Sequence, residues 1–268
     1  MTHARNPQWP LVLLLTVPVL CAVVLLRWVM RRGKLRQRRG AALLNAAIPV
    51  NAKWWRDQRD LPSQPNELLY VAIGDSAAQG IGASKPRRGY VGRLLTDLRA
   101  LQPRPVRIVN LSSSGARLRE ALAQQLPRLA TLQPDIVTVA IGANDIAEFD
   151  ARRFESEFRE LCRQLPPHTI VADVPAFYFG AAERKVRQAN RIVHLVSVEF
   201  GLRVVPLHRV TRRQTGTRYA LNQVAADFFH PNDRGYAVWA KAFLPAIKQR
   251  LHALSRHSVA TVTQNYAR

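Results

Sequence analysis

Three side chains, Ser76, Asp227 and His230, carry the types and spacing that acyl-ester chemistry needs. Ser76 stands in Gly74-Asp75-Ser76-Ala77, ahead of a glycine-containing stretch that ends at Gly82, where a tight turn can project a hydroxyl. A serine hydroxyl is a weak nucleophile until a base takes its proton. His230 is the candidate base. Asp227 lies three residues earlier in Asp227-Phe228-Phe229-His230, so a turn-like bend brings its carboxylate to one imidazole nitrogen while the other faces Ser76. Pro231 biases His230 towards an extended backbone, which suits a loop exit. Ester cleavage also needs donors for the negative oxygen of a tetrahedral intermediate. Gly115, in a Ser-rich turn, permits close backbone approach, and Asn144, in Gly142-Ala143-Asn144-Asp145, offers an amide. Taken singly, each segment is an ordinary turn or cap; their joint occurrence in this order points to acyl transfer.

Groups so far apart in the chain must be brought together by a framework. After Pro62 and Pro65, short apolar runs alternate with helical patterns, the signature of βα units around a buried parallel sheet. Strands are expected at residues 68–73, 106–110, 136–141, 169–174 and 203–206. Helices are expected at 90–101, 117–132, 153–165, 183–200 and 234–254. This predicts an α/β fold, a three-layer α/β/α sandwich with a flavodoxin-like five-stranded parallel sheet. Ligands gather beyond the carboxyl ends of strands in such sheets. Ser76 follows the first expected strand, Gly115 the second and Asn144 the third.

Over about residues 67–251 the chain resembles the SGNH (GDSL-type) hydrolases, on the blocks AIGDSAAQG, NLSSSGA, IGANDI and DFFHPND. The resemblance implies a serine esterase with Ser76 as nucleophile, His230 as base and Asp227 as its orienting carboxylate. It also implies an oxyanion hole from the Ser76 and Gly115 N–H groups and the Asn144 side chain. Ala77 stands where the family commonly has Leu, a position that does no chemistry. Specificity in the family lies in the loops after the strands, here residues 175–182 and 219–229, so Phe177, Tyr178, Phe179, Phe228 and Phe229 are candidate walls of an acyl pocket. No cofactor and no metal site are expected: seven scattered His and two Cys form no ligand spacing, and Cys21 and Cys162 read as packing residues.

From Trp9 to Met30 the chain is apolar apart from Arg27, long enough as a helix to span a hydrocarbon core of roughly 30 Å. Arg31, Arg32, Lys34, Arg36, Arg38 and Arg39 follow at once. The positive-inside rule then predicts a single-pass anchor with the catalytic domain on the cytoplasmic side. A cleaved signal peptide fits less well, because little basic charge precedes the run and no small-residue cleavage site follows it.

Four regions result: residues 1–30 as membrane segment, 31–65 as a basic juxtamembrane linker able to meet anionic lipid, 66–254 as hydrolase domain, and 255–268 as a tail expected to fray. Trp54 and Trp55 suit either a membrane interface or packing on the domain. The formal net charge of +22 would also suit nucleic acid, but the densest basic cluster adjoins the apolar run and no nucleic-acid motif is present. The expected substrate is an acyl ester, small or lipid-like. Acyl transfer to an alcohol or sugar, or O-deacetylation of a lipid or sugar, by the same residues, and a non-catalytic membrane-tethered binding module, are the alternatives.

Overall fold

The computed structural model describes residues 9–177, 180–213 and 222–266, with side chains between residues 22 and 256 of these ranges. Helix α1 spans Trp9–Arg59. Strand β1 (Leu68–Gly74) leads into the short α2 (Ser76–Gln79), then a 3-10 turn (Pro86–Arg88) and α3 (Tyr90–Leu101). Strand β2 is Val106–Asn110, followed by α4 (Leu118–Glu120), a π turn (Ala121–Gln125) and α5 (Leu126–Leu129). Strand β3 (Ile136–Ala140) ends in a 3-10 turn (Asn144–Ile146) before α6 (Ala151–Gln164). Strand β4 (Ile170–Ala172), α7 (Gly180–Glu199), β5 (Arg203–Val205), α8 (Leu207–Arg212) and α9 (Asp233–Tyr266) complete the order.

The five strands form one parallel sheet in the order β2-β1-β3-β4-β5. This is the flavodoxin-like arrangement, whose order reverses between β1 and β3 and opens a crevice at their carboxyl ends. Strand pleating explains the two cores. Leu68, Tyr70 and Ala72 of β1 enter a cluster with α3 and α9, whereas Val71 and Ile73 enter one with α6 and α7. A parallel sheet covered on both faces must be apolar on both, and β3 is buried along its whole length.

Three elements depart from the expected bounds, and one open alternative closes. The segment read as a linker is helical as far as Arg59, because its Arg, Lys, Leu and Ala residues favour a helix and its end has a docking site. Trp55 is only 4% exposed and packs in the core beside α3 and α9, which settles its packing in favour of the domain. The single helix expected over 117–132 is broken by the π turn, which lets Pro127 sit at the start of α5, where its missing N–H costs nothing. Helix α9 also runs beyond the expected end at Leu254, although side chains after Arg256 lie outside the described residues. The apolar run 9–30 forms the start of α1, with its side chains before residue 22 likewise outside them. Among the described residues no helix is long and apolar enough to cross a membrane.

Candidate active site

Strand β1 ends in the crevice, and the chain turns at Asp75 directly into α2, so Ser76 is the first residue of a helix. The turn is fixed from two sides. Asp75 Oδ1 accepts from Ala77 N–H (2.9 Å) as the helix cap, and Gly80 ends the helix in a left-handed conformation. Behind it, the Gln125 side chain accepts from Gly74 N–H (3.0 Å) and donates to Gly74 C=O (2.8 Å), pairing the strand end as a neighbouring strand would. The π turn is what presents Gln125 there.

The structure brings Ser76, His230 and Asp227 together. Ser76 Oγ lies 2.8 Å from His230 Nε2, and His230 Nδ1 lies 2.6 Å from Asp227 Oδ2. Asp227 is acceptor-only as a carboxylate, so Nδ1 carries the proton and Nε2 is left to accept from the serine hydroxyl. Asp227 Oδ1 accepts from the N–H groups of Phe229 and His230, both at 3.1 Å, which shapes the bend that three-residue spacing required. Burial raises the Asp227 pKa, but the hydrogen bonds from His230 and from these backbone groups outweigh it and hold the carboxyl below its ordinary range. Asp227 therefore stays ionised beside the imidazole.

Gly115 and Asn144 occupy the neighbouring loops. Gly115 has φ +80°, a conformation glycine adopts without strain. The N–H groups of Ser76 and Gly115 make no hydrogen bond among the described residues, so both are available as donors. Asn144 Nδ2 donates to Ala116 C=O at 3.0 Å and lies 3.4 Å from Asp75 Oδ2. Neither Gly115 nor Asn144 lines the cavity on which Ser76 opens.

That cavity, about 170 Å³, is bounded by Ser76 and His230 and walled by Phe177, Phe228, Phe229, Leu207 and Trp239. Phe229 packs edge-on against both Phe177 and His230, with ring centroids 5.8 and 5.1 Å away. Three of the five aromatic residues expected at a pocket thus stand there; Tyr178 and Phe179 lie outside the described residues. Asp173 also reaches the lining, its oxygens accepting from His208 N–H (2.7 Å) and His194 Nε2–H (3.0 Å), and burial raises its pKa.

Sequence reasoning missed Asp75 as a buried acid, Gln125 as the staple of Gly74, and Gln79. Gln79 Nε2 donates to Ser112 C=O (3.0 Å), and its Oε1 accepts from Ser114 Oγ (2.8 Å), joining the Ser76 helix to the Gly115 turn. Only Asp75, inside the Gly-Asp-Ser block, carried any signal. Burial pushes its carboxyl up to about 6.

Residues 72–238 match the GDSL-like Lipase/Acylhydrolase family. An acetylxylan esterase of Geobacillus stearothermophilus is 26% identical over 208 residues, spanning 68% of this chain and 93% of that protein. Among solved structures, the α/β hydrolase LAE5 from the metagenome of Lake Arreo, Spain, is 27% identical and superposes with a TM-score of 0.57 over 67% of this chain and 94% of its own. The lipase/acylhydrolase of Enterococcus faecalis, 19% identical with a TM-score of 0.58 over 68% of this chain and 96% of its own, shares the fold.

Proposed function

Since the chain belongs to the GDSL-like lipase/acylhydrolase family and is a carboxylic ester hydrolase, we propose that it cleaves esters of short acyl chains through an acyl-Ser76 intermediate. The single observation that carries this is the hydrogen-bonded series Ser76, His230, Asp227 at the mouth of an apolar cavity. His230 Nε2 takes the Ser76 proton as Oγ attacks the acyl carbonyl. The imidazolium, stabilised by Asp227, then returns the proton to the leaving alkoxide. Water attacks the acyl-enzyme by the same route in reverse and frees the acid. The Ser76 and Gly115 N–H groups and the Asn144 amide are the oxyanion donors in this scheme. A cavity of about 150 Å³ in another protein holds benzene, which by comparison suggests an acyl chain of about six carbons or fewer.

The acetylxylan esterase among the relatives favours a small acyl group carried on a sugar as one substrate class. The apolar run Trp9–Met30, exposed from Val23 to Met30 on α1 and followed by the Arg31 to Arg39 cluster, favours attachment to a bilayer with the catalytic domain on the cytoplasmic side. Substrate is tested with nitrophenyl acetate, butyrate, octanoate and palmitate and with acetylated xylo-oligosaccharide; turnover confined to palmitate defeats the short-chain reading. Attachment is tested by protease protection on intact cells, where digestion of the domain from outside defeats the cytoplasmic placement.

A further inference from the structure

The family match begins at residue 72, after α1, yet α1 touches the two segments that carry Ser76 and the Asp227–His230 pair. Near its end, Asn51 Nδ2 and Trp55 Nε1 both donate to Gln79 C=O, at 3.0 and 3.1 Å. Gln79 is the last residue of the helix that begins with Ser76, and its side chain holds Ser112 and Ser114 ahead of Gly115. Three helical turns earlier, Gly40 is buried against the loop that carries Asp227 and His230. A Cβ on Gly40 would overlap the Ala226 carbonyl and stand 2.7 Å from Asp227 N. The same loop also rests on Gly82, where a Cβ would stand 2.9 Å from His230 Cβ. The base loop is therefore packed against two bare backbones, one of them supplied by α1.

We propose that α1 is a positioning element of the active site, in which Gly40 sets where the Asp227–His230 loop sits and Asn51 with Trp55 fix the end of the Ser76 helix. The proposal rests on the triad reading for its catalytic consequence, but its geometric content stands apart from it. Small displacements are enough, because about 1 Å of misplacement between reacting groups costs up to about 100-fold in rate.

The test uses the full-length chain in detergent micelles, comparing wild type with Gly40→Ala, Trp55→Phe and Leu43→Ala. Leu43, on α1 and 69% exposed, is the control. Two readouts are taken: kcat and KM on nitrophenyl butyrate, and the low-field proton NMR signal of the His230 Nδ1–H bonded to Asp227. Gly40→Ala should lower kcat by about 10-fold or more with KM within about 2-fold, and shift or abolish the low-field signal. Trp55→Phe, which keeps the ring in the core and removes only the donor, should lower kcat by about 3-fold or more; Leu43→Ala should match wild type. A folded Gly40→Ala protein with wild-type kcat and an unchanged low-field signal overturns the proposal. If Gly40→Ala does not fold, wild-type kcat in Trp55→Phe does so. A wild-type chain that turns over no ester defeats the hydrolase reading instead, and the low-field signal of Gly40→Ala then decides the positioning claim.

Discussion

Ser76 Oγ and His230 Nε2 lie 2.8 Å apart although 154 residues separate them in the chain. One sits at the tip of β1 and the other on the loop before α9, so the bond forms only when the sheet and its last helix are assembled. Loss of either partner should be equally severe. Ser76→Ala and His230→Ala are each expected to reduce kcat by about 10³-fold or more, and the double variant by little beyond that, because groups acting as one unit do not add. Single-turnover kinetics on nitrophenyl butyrate checks both statements.

Asp227→Asn should keep the bend, since Oδ1 still accepts from Phe229 and His230 N–H, while the tautomer of His230 is lost. A fall in kcat of about 10³- to 10⁴-fold is expected, with a thermal midpoint at pH 7 lowered only by the loss of the carboxylate's own contribution. In the wild type this carboxyl has a lowered pKa, so it contributes stability above its unfolded pKa, lost as pH falls through its folded one. Urea unfolding from pH 7 to pH 2 should show that contribution intact above 3.8 and declining below it, and the asparagine variant should lack it.

Asp75 acts in the opposite sense. Burial raises its pKa from 3.8 to about 6, so the folded state keeps a proton the unfolded state gives up. Its contribution is fully present below pH 3.8 and is lost as pH rises through about 6. Relative to Asp75→Asn, which preserves an oxygen for Ala77 N–H, wild type should lose about 3 kcal/mol at most across that window. The difference between the two unfolding profiles isolates this residue from Asp145, which burial also pushes to about 6.

Gln125→Leu removes both side-chain hydrogen bonds to Gly74 through a side chain that is itself 1% exposed, leaving the Gly74 carbonyl its longer bond from Ser113 N–H at 3.3 Å. Loss of these bonds at a buried strand end should cost about 1–3 kcal/mol. Urea unfolding measures the loss. The strand tip that carries Ser76 is also freed, so kcat should fall more than KM changes.

The size of the cavity sets a chain-length profile. Each methylene buried against Phe177, Phe229 and Leu207 is worth about 0.8 kcal/mol, or about 4-fold in kcat/KM, until the space is filled. The optimum should fall at or below about six carbons, and Phe229→Ala should move it to longer chains. A nitrophenyl ester series measured on both proteins tests this.

Much of this was legible in the order of residues, and the reasons differ by element. Strands such as β1 announce themselves because a sheet buried on both faces needs a continuous apolar run, and the triad residues fall within segments whose types suit one chemistry. Gln125 and Gln79 were silent because a glutamine on a helix looks like any solvated polar residue until a backbone partner is brought opposite it. The docking of α1 was hidden for a related reason. A tryptophan after a basic apolar helix has the same pattern whether lipid or protein covers it, and only the carbonyl of Gln79 decides for Trp55. The break at Ala121–Gln125 was masked by helical periodicity, which a single π turn scarcely disturbs.

The most direct test of the central claim is covalent labelling of the full-length chain with a fluorophosphonate, followed by peptide mapping by mass spectrometry. The triad predicts one adduct, on Ser76, whose rate collapses in His230→Ala and which is absent in Ser76→Ala. An adduct on any other serine, or a Ser76 adduct formed at the same rate without His230, would contradict it.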